Sequence, residues 1–555
     1  MVEEAFLVAM TMMSRTVRGA AAVVFAAVAA ISAGAAEIVV VAHETGYTTS
    51  LAKHIHRWLG DQGVKSELTT PAGMEEAMKD SKLVFLLGFA DPTGDELSKI
   101  MSAREKGTRF VVFHSASPQL AKMMGVKPLG YTEAAYPGRW SRMNFTGEFL
   151  EGCPKSVLQT STVLQRAEPI PGKSRVLATW SDRAGRSTGD AAWIASAAGY
   201  WMTHVLLADG DEELKAQFLG AIVGSVAPRL WNAKAFRAKR VAEERALREY
   251  ASRQKRRPGE IRAVWDHSGC GLHPGDWKKT IRILRDYGIT DVFVNVAGAG
   301  FAHYQSGVLP RSKTFRDEGD QLKACIEAAK GTGIRVHAWV ICFNATRATE
   351  SRLEAFEKRG WRLRTKDGKL SEYLDPSNAD VRKYLLDAID EIQEKYAVDG
   401  IHLDFVRWYE RSVKPADAAD TISRFVATAR LHVRRPTWFT VAVLGKYPAC
   451  VASVGQDWDG WVDSKIVDYV VPMDYTEDME KYESFLAQHA RRKGNAQRTI
   501  VGIGVTANES RLSPREVIDQ IVLSRRYGMA GVALFDLDTS LEKRFLPILA
   551  LGLFK

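Results

Sequence analysis

Val398-Asp399-Gly400-Ile401-His402-Leu403-Asp404-Phe405-Val406-Arg407-Trp408-Tyr409 is the stretch whose reading decides the fold. With the two-residue period of an extended chain, Gly400, His402 and Asp404 fall on one face and Ile401, Leu403 and Phe405 on the other. A strand that packs apolar residues outward and carries an imidazole and a carboxylate inward suits the wall of a closed barrel, whose working groups sit at the C-terminal strand ends. Outward from it, similar runs occur at Ile261-Trp265, Asp291-Val296, Arg335-Ile341, Trp438-Val443, Tyr469-Met473, Thr499-Ile503 and Gly531-Phe535. Helical stretches alternate with them at Trp277-Tyr287, Asp320-Thr332, Asp380-Tyr396, Ala416-Val433, Glu480-Lys493 and Ser513-Tyr527. Eight strands with helices between them predict a (β/α)8 TIM barrel over residues 260–555.

Upstream, the runs Ile38-Val41, Leu83-Leu87, Phe110-Phe113 and Arg175-Thr179 alternate with helical stretches such as Ser50-Leu59, Asp95-Ala103 and Asp211-Ala227. This alternation predicts a smaller open α/β domain over 37–232, wound as a parallel sheet. Between the two, residues 233–259 read as a basic helical linker ending at Pro258-Gly259. Ahead of everything, Arg15 and Arg18 precede a nearly all-apolar run from Gly19 to Ala33, and Ala33-Gly34-Ala35-Ala36 offers a small-residue cleavage site. Residues 1–36 therefore read as a signal peptide, with cleavage near Ala36 and export to the periplasm or medium. No other stretch is long and apolar enough to span a bilayer.

A chain of 555 residues, 46% hydrophobic and 26% charged with 44 Gly and 19 Pro, excludes a disordered or collagen-like polymer and needs more than one core. Its net charge of +10 invites a nucleic-acid reading. Most of the excess, however, lies between Lys234 and Arg257, in a solvated helix rather than across a docking surface. No nucleic-acid partner is expected, nor a membrane beyond the leader. The five cysteines are scattered without C-x-x-C pairs, so neither a disulfide framework nor a zinc site is indicated. A metal held by His337, His402 and Asp404 is disfavoured, because the first strand ends Trp265-Asp266-His267 without a His-x-His pair. No cofactor is expected.

Asp404, at a strand end beside Arg407 and Trp408, is the first candidate for a tuned carboxyl group. The sixth strand delivers Asp474 and Tyr475 toward the same rim. Two carboxylates flanking one bond are what glycosidic cleavage requires, one to protonate the leaving oxygen and one to attack or to activate water. Asn295, His303, Tyr304, His337, Trp339, His402, Gln456, Asp457 and Trp458 complete the candidate binding set, since aromatic faces stack on sugar rings and polar groups meet their hydroxyls. In the N-terminal domain His114-Ser115 follows a strand but lacks the glycines of a nucleophile elbow. A hydrolytic role for Ser115 is the weakest alternative.

Several segments taken in order resemble the glycosyl-hydrolase-like family 10 proteins: Arg262-Ala263-Val264-Trp265, Tyr304-Gln305-Ser306-Gly307-Val308-Leu309-Pro310, Val336-His337-Ala338-Trp339-Val340, Leu374-Asp375-Pro376, Asp399-Gly400-Ile401-His402-Leu403-Asp404, Gly455-Gln456-Asp457-Trp458 and Val471-Pro472-Met473-Asp474-Tyr475. The resemblance implies an envelope glycosidase, acting on a polysaccharide or on peptidoglycan strands, with Asp404 as catalytic acid and His337, Trp339 and His402 lining its cleft. Many members read Asp-Asp where this chain has Asp404-Phe405. Chitinase-type barrels place a Glu two residues beyond the final Asp, where Val406 stands, which speaks against a substrate-assisted chitinase. The N-terminal domain resembles class I glutamine-amidotransferase-like, flavodoxin-like sheets without their nucleophile. The alternative to an enzyme is a catalytically inactive glycan-binding protein using the same cleft.

Overall fold

The computed structural model describes residues 36–43, 46–136, 138–146, 150–208 and 210–555. The proposed leader, Ala36 apart, lies outside the described residues. The chain divides into two compact units, one up to Ala242 and one from Glu243 onward, with the division inside the helix Ala233–Arg253.

The first unit is an open α/β sheet of nine strands, with a separate antiparallel pair beside it. Its strands are β1 (Ile38–Ala42), β2 (Glu67–Thr69), β3 (Leu83–Leu87), β4 (Arg109–Phe113), β5 (Val126–Glu133), β6 (Trp140–Phe145), β7 (Ser156–Ser161), β8 (Val163–Pro169), β9 (Ser174–Ser181), β10 (Ser187–Ser196) and β11 (Gly199–Met202). The main order is β2-β1-β3-β4-β11-β10-β9-β6-β7, while β5 pairs with β8. Only β2, β1, β3, β4 and β11 are mutually parallel. Buried on both faces, β1 is continuously apolar: Ile38 and Val40 enter one core, Val39 and Val41 the other. The expectation of a wholly parallel sheet is corrected here. β9, read as a winding strand, pairs antiparallel with β10 and β6. The strands from β5 to β10 pair antiparallel, and β7 shows the alternating burial of such a sheet: Val157, Gln159 and Ser161 are buried and their neighbours less so.

The second unit is a closed (β/α)8 barrel. Its eight parallel strands are β12 (Ile261–Asp266), β13 (Asp291–Gly298), β15 (Arg335–Ile341), β18 (Gly400–Asp404), β19 (Trp438–Leu444), β20 (Tyr469–Met473), β21 (Ile500–Gly504) and β22 (Gly531–Phe535). The ring closes by pairing of β12 with both β13 and β22. Short additions, β14 (Phe301–Ala302), β16 (Arg362–Arg364) and β17 (Leu370–Leu374), decorate the connections. Strand alternation sorts the side chains into two cores. Val264, Val292, Val294, Ile401, Leu403, Val470 and Val532 face the helices, whereas Ile261, Ala263, Trp265, Phe293, Trp339, Val471 and Ala533 fill the barrel. Gly502 in β21 is required because a Cβ there would lie 2.9 Å from the Trp265 indole. The helices start at strong caps, Asp320, Asn378 and the Ser513/Glu516 capping box among them, so each turns sharply away from its strand end.

Candidate active site

Asp404 ends β18 on the inner face, as the period-two reading requires, and is only 5% exposed. Burial pushes its carboxyl above the ordinary aspartate range, against the opposing charge of Arg407, the Phe405 backbone N–H and the Trp339 indole. The Phe405 N–H donates to Asp404 Oδ1 at 2.6 Å. Phe405 itself adopts φ +51°, a left-handed conformation that costs a bulky residue about 1–2 kcal/mol. The Arg407 guanidinium lies 4.2 Å from the Phe405 ring centroid. The mouth above Asp404 is walled by rings. Tyr475 stacks on Phe535 at 5.5 Å and meets Trp265 edge-on at 6.5 Å, and His267 lies 5.9 Å from both Trp339 and Phe535.

Two buried polar atoms in this region have no hydrogen-bond partner, Asn295 Oδ1 and Arg407 Nη1, while the Trp339 indole acts on Asp404 itself. Buried polar groups are normally satisfied, so an orphan donor and an orphan acceptor beside a carboxyl group mark a surface that awaits hydroxyls. Asn295 is anchored by its other end, donating from Nδ2 to the His267 carbonyl at 3.2 Å.

The rest of the sequence-derived set divides differently from the expectation. Asp474 does not share the cleft with Asp404. Its side chain turns outward to the helical layer, where Oδ2 lies 2.8 Å from Nε2 of His489 on the helix Met479–His489, and both residues are fully buried. Gly445 leaves no room for a Cβ against Asp474 Oδ1. The reason is strand parity: Val471 faces the barrel, so Asp474 falls on the outer side and Tyr475 on the inner. Tyr475 is the residue that this strand delivers to the mouth.

Neither imidazole on the inner face serves the rim. His337 Nε2 donates to Asp291 Oδ1 at 2.8 Å near the strand N-termini, and Arg335 grips the same carboxylate twice at 2.7 Å. Despite burial, these partners hold Asp291 down to about 2. His402 occupies the layer beneath the mouth. It stacks on Phe293 at 4.2 Å, accepts from Trp265 Nε1 at 3.0 Å through Nε2, and therefore donates from Nδ1 to Thr440 Oγ1 at 2.8 Å. This tautomer is neutral, and burial holds its pKa far below that of a free histidine. With those commitments, His337 and His402 are structural and do not converge with Asp404 on a metal.

Tyr304 is also behind the wall, donating to Glu391 Oε2 at 3.1 Å. Trp408, expected beside Asp404, is turned into the outer core, where its indole donates to the Ala418 carbonyl at 3.2 Å. Gln456 pins two strand ends, accepting from Leu444 N at 3.0 Å and donating to the Val406 carbonyl at 3.2 Å. Asp457 accepts from Tyr447 at 3.0 Å, and Trp458 donates to the Leu444 carbonyl at 3.1 Å. These three residues build the loop after β19 rather than line the cleft. His303 accepts from Arg347 Nη2 at 3.3 Å and so donates from Nδ1 to Ser312 Oγ at 2.6 Å; burial, then the Arg347 charge, push it down to about 4. Asn295, Trp339, Arg407 and Tyr475 remain with Asp404, and His303 stands next to them through Arg347.

Four residues of the mouth escaped sequence reading: His267, Arg347, Phe535 and Asp536. Asp536 follows β22 directly and accepts from Thr506 Oγ1 at 2.9 Å. Asp536 and Asp404 each raise the pKa of His267, against the lowering by burial, and each adds to the rise that burial imposes on Tyr475. Both carboxylates thus act electrostatically on the same two rings. Nothing in the strand pattern marks Asp536: it follows Phe535, an inward residue of the apolar β22, so the two-residue period alone would send it outward.

In the first unit, Ser115 is no nucleophile. Buried, it donates from Oγ to the Phe89 carbonyl at 2.6 Å, while His114 Nδ1 lies 3.3 Å from the Thr203 carbonyl.

Residues 260–512 match the family model described as Glycosyl hydrolase-like 10, so the resemblance carried by the barrel motifs stands. Among solved structures, the chain is similar to the glycoside hydrolase domain of PgaB (BpsB) from Bordetella bronchiseptica, at 13% identity over 50% of this chain and 94% of that one, with a TM-score of 0.39. It is also similar to the spore cortex-lytic enzyme SleL of Bacillus megaterium QM B1551, at 13% identity over 54% and 74% of the two chains and a TM-score of 0.35. A class V chitinase from Pseudomonas fluorescens Pf-5 follows, at 11% identity over 53% and 99%, with a TM-score of 0.36. No curated protein matches the chain.

Proposed function

We propose that the barrel is a glycoside hydrolase that cuts a polysaccharide or peptidoglycan glycan strand at its C-terminal mouth, with Asp404 as the proton donor. The observation that carries this reading is a buried carboxyl group, raised in pKa, at the foot of a ring-walled mouth beside two unsatisfied polar atoms. A carboxyl group shifted toward its protonated form is what departure of a glycosidic oxygen needs. Asp536 replaces Asp474 as the second carboxylate, to attack the anomeric carbon or to activate water. Trp339, Tyr475 and Phe535 offer ring faces to the sugar, and Asn295 and Arg407 its hydroxyl contacts. Val406, buried in the outer core, leaves no acid at the chitinase position. The leader-like first 36 residues support a substrate outside the cytoplasm.

Asp536→Asn should lower kcat by about 100-fold or more while leaving substrate affinity nearly unchanged, as expected for a group acting on the reacting centre. Unchanged kcat on a glycan that the native protein cleaves would remove Asp536 from the mechanism. Arg407→Gln tests the acid. Arg407 lowers the Asp404 pKa, so its removal raises it further. A general acid works while protonated, so the alkaline limb of the kcat/KM profile should move to higher pH in this variant. A limb that stays fixed or moves down contradicts Asp404 as donor.

A glycan-binding protein without catalysis is the second reading, favoured by Phe405 where many relatives carry a second acid. A glycan panel assayed for both binding and release of reducing ends separates the two.

A further inference from the structure

The first unit holds a half-open cavity of about 520 Å³ where the N-terminal ends of β4, β9 and β11 meet the end of β10. That volume lies within the range of small-molecule sites. Among the described residues, its lining carries three cations, Arg109, Lys173 and Arg175, and no carboxylate. The polar remainder is hydroxyl, and its proton accounting is asymmetric. Ser225 Oγ donates to the Ile222 carbonyl at 2.6 Å, so Tyr200 spends its own proton on Ser225, also at 2.6 Å, and keeps lone pairs to accept. Ser196 Oγ accepts from Ala198 N at 3.2 Å and keeps a proton to donate. Arg109 and Arg175 both pull down the Tyr200 pKa against the stronger rise from burial, which puts their charges near the phenol. Leu177 supplies an apolar floor.

Cations alone would suit any anion, and hydroxyl partners alone any sugar. We propose that this cavity binds a sugar bearing an oxyanion, either a carboxylate or a phosphate, with Arg109 and Lys173 facing the charge and Ser196 and Tyr200 meeting the hydroxyls. The site is independent of the barrel mouth and of its chemistry.

Titration calorimetry of the full chain with glucuronate, glucose 6-phosphate, glucose and inorganic phosphate tests it. At least one of the two acidic sugars should bind, at least tenfold more tightly than glucose and than inorganic phosphate, and which of them binds identifies the oxyanion. Added salt should weaken that binding, because the cations are partly exposed. The double variant Arg109→Gln/Lys173→Gln should lose at least tenfold in affinity, and Lys173→Glu, at an exposed side chain, should act in the same direction without risk to the fold. Asp404→Asn should bind as the native chain does, which separates this cavity from the barrel. Binding of neither acidic sugar, equal binding of glucose, or full affinity in both variants would overturn the proposal. Inorganic phosphate binding as tightly as glucose 6-phosphate would overturn its sugar half.

Discussion

Asp404→Asn should lower kcat on the cleaved glycan by about 10²–10⁴-fold, the usual contribution of a positioned general acid, equivalent to roughly 3–5 kcal/mol of barrel-mouth chemistry. Asparagine keeps the size of the side chain and can still accept the Phe405 N–H, so the strand end should hold its shape. Because burial disfavours the ionised form of Asp404, the neutral amide should not destabilise the barrel. The variant should therefore unfold at the same or a slightly higher denaturant concentration and retain glycan affinity while losing turnover. An activated substrate with a good leaving group should recover much of the rate, since it needs no proton from the enzyme. Loss of stability together with activity, or no rescue by such a substrate, would show that Asp404 only supports the strand.

The second large effect concerns stability. His489→Ala should destabilise the barrel by about 3–5 kcal/mol, because it leaves the carboxyl group of Asp474 fully buried with no partner. Burial already pushes the Asp474 pKa up, and His489 is the group that opposes this. The loss should be greatest at neutral and alkaline pH. Without the imidazole the carboxyl group's folded pKa rises further above its unfolded value, so stability falls as pH climbs through that interval and is regained on acidification. Urea unfolding at two pH values measures this directly. Folded His489→Ala should keep its kcat. A collapse of kcat with unchanged unfolding would return Asp474 to the active site and contradict the outward placement.

The barrel was legible because its strands are short, apolar and regularly spaced between helices, and the Gly400-x-His402-x-Asp404 alternation assigned the inner face correctly. Parity failed two strands later. In β20 the run Val470-Val471-Pro472-Met473 is apolar on both faces, so nothing in it distinguishes Asp474 from Tyr475 as the inward residue. The histidines misled for a related reason: the inner face of a barrel is layered, and the alternation that puts His337 and His402 inside does not reveal that both lie below the rim. Gln456, Asp457 and Trp458 show a third limit, since loop residues near a strand end serve as struts as readily as they line a cleft. Asp536 went unnoticed because its strand carries no other polar residue. In the first unit, the antiparallel strands between β4 and β11 in the chain were hidden because no helices separate them, so the helix-strand alternation that marks the parallel strands is absent there.

Glycosidase activity of the barrel is measured as release of reducing ends from a panel of purified polysaccharides and denuded peptidoglycan strands by the native chain. New reducing ends are expected from at least one of these glycans, with no such release by Asp404→Asn. Binding without cleavage across the whole panel, or equal release by the variant, would contradict catalysis by Asp404.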